Sequence, residues 1–132
     1  MEGRNKLVYP ELSYDIVGSA FTVFNTLGYG HRESYYQKAL SLELKKRNIN
    51  YEREKEIALK YENCQIGKYR LDFLVEDKII VELKVLSSYR YRSLRQILEY
   101  LKAADKKLAI LIYFTKNGVY YRRSVNPIYR GN

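Results

Sequence analysis

The chain has 132 residues, with 24 Lys and Arg against 15 Asp and Glu, a net charge of +9 and a pI near 9.5. That length suits one domain with one core, and 46% hydrophobic with 30% charged residues excludes a disordered chain. A single cysteine, Cys64, excludes an intrachain disulfide or a thiolate zinc site, so any metal must be held by oxygen ligands, with His31 the sole imidazole. The cationic surplus draws polyanions through a long-range field, but it also serves solubility, and alone it defines no partner.

Taken in order, Pro10 opens a segment with Leu12, Ile16, Ala20, Val23, Phe24 and Leu27 at helical spacing, closed by Gly28 and Gly30. This predicts a helix from Pro10 to Leu27. A second helix is expected from Glu33 to Arg47, with Tyr36, Leu40, Leu44 and Arg47 on one side and Asn48 as its stop. Tyr51 to Tyr61 alternates as a strand, with Tyr51, Arg53, Lys55, Ile57 and Leu59 on one face. Glu62 to Gln65 reads as a turn. Tyr69–Val75 and Ile79–Leu86 read as a hairpin around Glu76, Asp77 and Lys78. The second of these runs is apolar on both faces, as in a central strand covered by helices on both sides. A third helix is expected from Tyr91 to Ala104, then a buried strand Leu108–Phe114, a turn at Asn117-Gly118 and an edge strand Val119–Arg123. The order α-α-β-β-β-α-β-β predicts an α/β fold, a mixed sheet with an antiparallel hairpin flanked by helices, spanning residues 1–132 as one domain with 1–9 and 126–132 peripheral. The apolar runs Ile79–Val81 and Leu108–Ile112 are too short to span a membrane, and no apolar leader follows the first basic residues, so an intracellular, cytoplasmic protein is expected.

Asp72 in one strand and Glu82-Leu83-Lys84 in the next are charged residues inside apolar runs, where unpaired charge is costly. With a three-residue loop, Val75 faces Ile79, Phe73 faces Val81, and Asp72 lies across from Glu82 on one face. Two carboxylates about 5 Å apart repel unless a cation sits between them. Glu82 and Lys84, two apart on one strand, share that side. Mg²⁺ with two or three carboxylates, its own waters and a phosphate makes a suitable hydrolytic site, with Lys84 orienting the nucleophile or stabilising charge on phosphorus. The competing reading is a salt bridge of Lys84 with the two acids at a strand end.

Asp72 with Glu82-Leu83-Lys84 resembles the signature of the PD-(D/E)XK nuclease superfamily, with Leu71 in place of the usual Pro. Gln96-Ile97-Leu98-Glu99-Tyr100 is similar to the Gln-x-x-x-Tyr element of its RecB-like members, and Gly30-His31-Arg32-Glu33-Ser34-Tyr35-Tyr36 to the element that names the GxxExxY family. The resemblance implies a restriction-endonuclease-like core. Catalysis would fall to Glu33, Asp72, Glu82, Lys84, Gln96 and Tyr100, and a Mg²⁺ or Mn²⁺ ion would be held by Glu33, Asp72, Glu82 and the Leu83 backbone carbonyl. Each residue also has a plainer reading: first-turn electrostatics for Glu33, a surface helix pair for Gln96 and Tyr100, a core aromatic for Tyr36, an exposed side chain for His31. Arg90, Arg92 and Arg95 read as a nucleic-acid-binding patch or as a solvated helix face.

Three functions follow. The first is a metal-dependent nuclease acting on DNA, with RNA left open, no membrane partner and a homodimer as the favoured assembly. The second is a nucleic-acid-binding module without turnover. The third is a protein-interaction or oligomerisation domain with tyrosine anchors.

Overall fold

The computed structural model describes residues 8–87 and 94–131. Among the described residues three helices, α1 (Pro10–Leu27), α2 (Glu33–Lys46) and α3 (Leu94–Ala104), flank a five-stranded sheet of β1 (Tyr51–Tyr61), β2 (Cys64–Val75), β3 (Ile79–Val85), β4 (Leu108–Thr115) and β5 (Gly118–Val125). The strands lie in chain order. The β3–β4 pair is parallel and the other three are antiparallel, so the single crossover runs through α3. This is the α/β arrangement expected from the sequence; the expected start of the third helix, residues 91–93, lies outside the described residues.

Strand alternation sends the two faces of the sheet to different helices. Ile79, Val81 and Leu83 of β3, with Leu108, Ile110, Ile112 and Phe114 of β4, pack under α1 and α2 against Ile16, Ala20, Val23, Tyr36, Leu40 and Leu44. Ile80, Ala109, Leu111 and Tyr113 face α3 with Ile97, Tyr100 and Leu101. All eight residues of β4 are buried, as a strand covered on both sides requires. Among the described residues no helix is long and apolar enough to cross a membrane.

The two hairpins set the geometry of the centre. Glu62 and Asn63 both take positive φ, 50° and 68°, so the first turn needs only two residues and Cys64 already pairs with Tyr61. The longer turn and later strand start expected from the sequence are therefore corrected. The loop at Glu76–Lys78 has the expected length and gives the expected register, Val75 to Ile79 and Phe73 to Val81.

Past Phe73 the pairing of β2 with β3 stops. There β1 and β2 also change faces. Phe73 and Val75 belong to the α1/α2 core, whereas Leu71, of the same parity, belongs to the α3 core with Tyr69 packed against it. On β1, Tyr51 packs on the first side and Ile57 on the second, and Glu54 between them has φ of 53°. A left-handed residue breaks strict alternation, so the single face expected for Tyr51 to Leu59 is divided at Glu54. The β1–β2 ribbon consequently swings away from β3 at Asp72, opening a gap on the β3 edge.

Candidate active site

The opened hairpin removes ladder partners from β3, and acidic side chains take their place. Leu83 N–H donates to Asp72 Oδ2 at 3.0 Å, and Val85 N–H, two residues further on the same edge, donates to Glu33 Oε1 at 3.1 Å. In return, Asp72 N–H donates to Glu82 Oε2 at 2.8 Å. Three buried or half-buried carboxylates thus satisfy three amides that a regular sheet would have paired. The alternation of β3 turns Glu82 and Lys84 toward α3, and Glu33 reaches the same edge from α2 on the opposite side.

The placement of Glu33 depends on the turn before α2. Gly28 and Gly30 take φ of 73° and 117°, a region that favours glycine. The Tyr36 hydroxyl donates to the Gly28 carbonyl and accepts from His31 N–H at 3.2 Å, and its ring meets Phe114 edge-on at 4.8 Å. Tyr36 is fully buried. In Gly30-x-x-Glu33-x-x-Tyr36 the glycine bends the chain, the tyrosine fastens the bend to the core, and the glutamate is aimed at β3. His31 is exposed, with Nε2 3.0 Å from the Leu27 carbonyl.

Glu82 is 4% exposed, and its carboxyl is pushed up to about 8 from an ordinary 4.5, first by burial and then by the charge of Asp72. Its hydrogen bond from Asp72 N–H and the Lys84 ammonium pull the other way without cancelling the rise. Lys84 is half-buried and, among the described residues, within 4.0 Å of no carboxylate, so the salt-bridge reading of the acid-x-Lys pattern does not describe this geometry. Tyr100 is buried on α3, and its hydroxyl is also pushed up, by burial first and then by Glu82 and Asp72. It is a neutral donor beside the acids. Gln96, one turn earlier, is exposed, as is Arg95; Arg90 and Arg92 lie outside the described residues.

Tyr69 was not singled out from the sequence. Its ring lies 5.0 Å from that of Tyr100, and its hydroxyl donates to Glu99 Oε1 at 3.3 Å. Its place in alternation with Leu71 on β2 was a signal for the α3 face, but not for a neighbour of Tyr100.

The donor set suits a hard divalent cation. Asp72 and Glu82 each engage a backbone amide through one carboxyl oxygen, and their mutual repulsion would be relieved by a cation. Glu33 is tied to β3 by its own amide contact. Among the described residues no group of three or more His, Cys, Asp and Glu is close enough to hold a metal, so the close pair here is Asp72 with Glu82.

A mixed sheet covered by helices, with its central hairpin opened around buried acids, is the restriction-endonuclease-like α/β fold. The chain belongs to the PD-(D/E)XK nuclease superfamily, whose sequence profile matches residues 10–124. The chain is also similar to the crystal structure of SSO0001, with a TM-score of 0.58 and 22% identity over 72% of this chain and 50% of that one, a likeness of fold. It spans about half the length of that protein. No curated protein matches.

Proposed function

We propose that this protein is a Mg²⁺- or Mn²⁺-dependent nuclease of the GxxExxY type that hydrolyses phosphodiester bonds in DNA. The observation that carries this reading is the buried Glu82 carboxyl, pushed up beside Asp72, with Lys84 on the same strand face and within 4.0 Å of neither acid. Such an arrangement is unfavourable for a resting structure and favourable for a site that receives a cation and a phosphate.

Asp72 and Glu82 would hold the cation, with the Leu83 carbonyl on the same strand edge as its N–H and Glu33 fixing that edge from behind. A divalent ion there supplies charge neutralisation on the phosphate and an acidified water. Lys84 positions the water for attack or stabilises negative charge on the non-bridging oxygens. Tyr100, held protonated, donates toward the same phosphate, and Gln96 borders the approach from one turn away. Arg95, with the basic residues before it in sequence, gives the incoming strand cationic contacts.

The test is cleavage of plasmid, linear duplex and single-stranded DNA with Mg²⁺ or Mn²⁺ by wild type, Asp72→Asn, Glu82→Gln and Lys84→Ala. The amide substitutions keep a hydrogen-bond acceptor for the Leu83 and Asp72 amides, so folding is preserved while charge is lost. Metal-dependent cleavage that disappears in all three folded variants supports the nuclease. Absence of cleavage by wild type, with binding indifferent to metal, leaves a binding module of the same fold.

A further inference from the structure

We infer that the groove between the β1–β2 ribbon and the outer face of α3 binds the sugar-phosphate backbone of nucleic acid flanking the reacting phosphate. This rests on the nucleic-acid substrate of the reading above and assigns a second, non-catalytic binding site to it.

The groove, of about 730 Å³, is walled by Lys60 and Tyr69 of the ribbon, Glu99 and Lys102 of α3, and Arg130 of the C-terminal segment. Two smaller depressions share its Lys102, one running along α3 to Arg95 and one bordered by Asp105 and Arg130. Tyr69 links the groove to the acidic gap at one remove, since its ring lies 5.0 Å from that of Tyr100 and Tyr100 is within the electrostatic reach of Glu82 and Asp72. The fold itself produces this path: the swing of the ribbon at Asp72 both opens the acidic gap and creates a wall facing α3.

The charges along it are arranged for an external anion. Among the described residues Lys60, Lys102 and Arg130 make no ion pair within 4.0 Å, whereas Lys55, Lys68 and Lys106 are paired with Glu52, Glu56 and Asp77. The acids on the path are held internally, since Glu99 accepts the Tyr69 hydroxyl and Asp105 accepts Arg130 N–H at 2.9 Å. Three unpaired cations on separate elements around one groove, with an aromatic ring that packs on Tyr100, suit the spaced negative charges of a nucleic-acid strand.

The deciding experiment is anisotropy of fluorescent single-stranded and duplex DNA, without divalent cations, over a range of salt. Wild type is compared with Lys60→Ala/Lys102→Ala/Arg130→Ala and with a charge-matched control on exposed α2 positions, Lys38→Ala/Lys45→Ala/Lys46→Ala. The groove variant should lose roughly ten- to a thousandfold in affinity at low salt, and its log K against log salt slope should fall by roughly two to three, as expected for three lost phosphate contacts. The control should retain wild-type behaviour. If the wild type cleaves DNA, the groove variant should raise KM on a long strand and leave kcat, and a very short oligonucleotide should be cut as before. Equal losses in groove variant and control, unchanged binding by the groove variant, or an acidic peptide held as tightly as DNA each overturns the inference. If wild type binds through the groove and cuts nothing, the nuclease reading fails while the groove stands.

Discussion

Glu82 makes the stability of the metal-free protein depend on pH in a direction opposite to that of an ordinary surface carboxylate. Its folded value of about 8 exceeds the ordinary 4.5, so below pH 4.5 it is protonated in both states and its contribution is fully present. Between 4.5 and 8 the unfolded chain releases the proton that the folded chain keeps, and stability falls steadily before levelling above 8. From pH 5 to pH 8 the fall attributable to this carboxyl is ~3 kcal/mol. Glu82→Gln removes the ionisation and keeps an acceptor for Asp72 N–H, so the difference in unfolding free energy between wild type and variant isolates the effect. Urea unfolding of both proteins across that range is the assay, repeated with Mn²⁺. The difference should grow with pH in the absence of metal and shrink when Mn²⁺ offsets the two negative charges. A difference that stays flat with pH refutes the burial argument, and a difference untouched by Mn²⁺ refutes the assignment of the pair as metal ligands. Asp72→Asn, which removes only the second cause of the rise, should reduce the dependence without abolishing it.

Tyr36→Phe keeps the buried ring but removes the hydroxyl that joins Gly28 to His31, and chemical denaturation should register a loss of about 1–2 kcal/mol. Gly30→Ala places a side chain at φ of 117° with nothing within 4 Å to clash, so a loss of about 1–3 kcal/mol, visible as a lower Tm, would come from backbone strain alone. Glu33→Ala leaves Val85 N–H without its acceptor and should cost about 1–3 kcal/mol, whereas Glu33→Gln should restore most of it; if both variants unfold alike, the contact to Val85 is not what holds Glu33.

The parts of this fold that follow from local periodicity were readable in the sequence. α1 has the bounds that its apolar spacing and Gly28 dictate, and β4 is as buried as its unbroken apolar run implies. The three-residue loop at Glu76–Lys78 set the expected register of Val75 to Ile79 and Phe73 to Val81, while Asp72 and Glu82 meet beyond the end of that ladder through side-chain to amide hydrogen bonds. What escaped was the left-handed Glu54, because glutamate carries no turn signal, and with it the swing of the ribbon that separates β2 from β3. The acids were therefore recognisable as unusual, but their hydrogen bonds to Leu83 and Val85 were not, since these arise only where a ladder has been interrupted. Lys60, Lys102 and Arg130 are far apart in the chain and meet only through the packing of three elements, so no motif joins them.

The same interruption changes what the acidic pattern means in evolutionary terms. Asp72, Glu82 and Glu33 each occupy the place of a missing strand partner, so selection for folding alone favours acceptors at these positions. A descendant that had given up catalysis would retain them or exchange them for the corresponding amides. Lys84 supports no backbone group among the described residues and would drift freely once its chemistry was no longer used. On the proposed reading, lysine at position 84 is therefore the residue expected to be lost first when catalysis is lost, and the carboxylates are not.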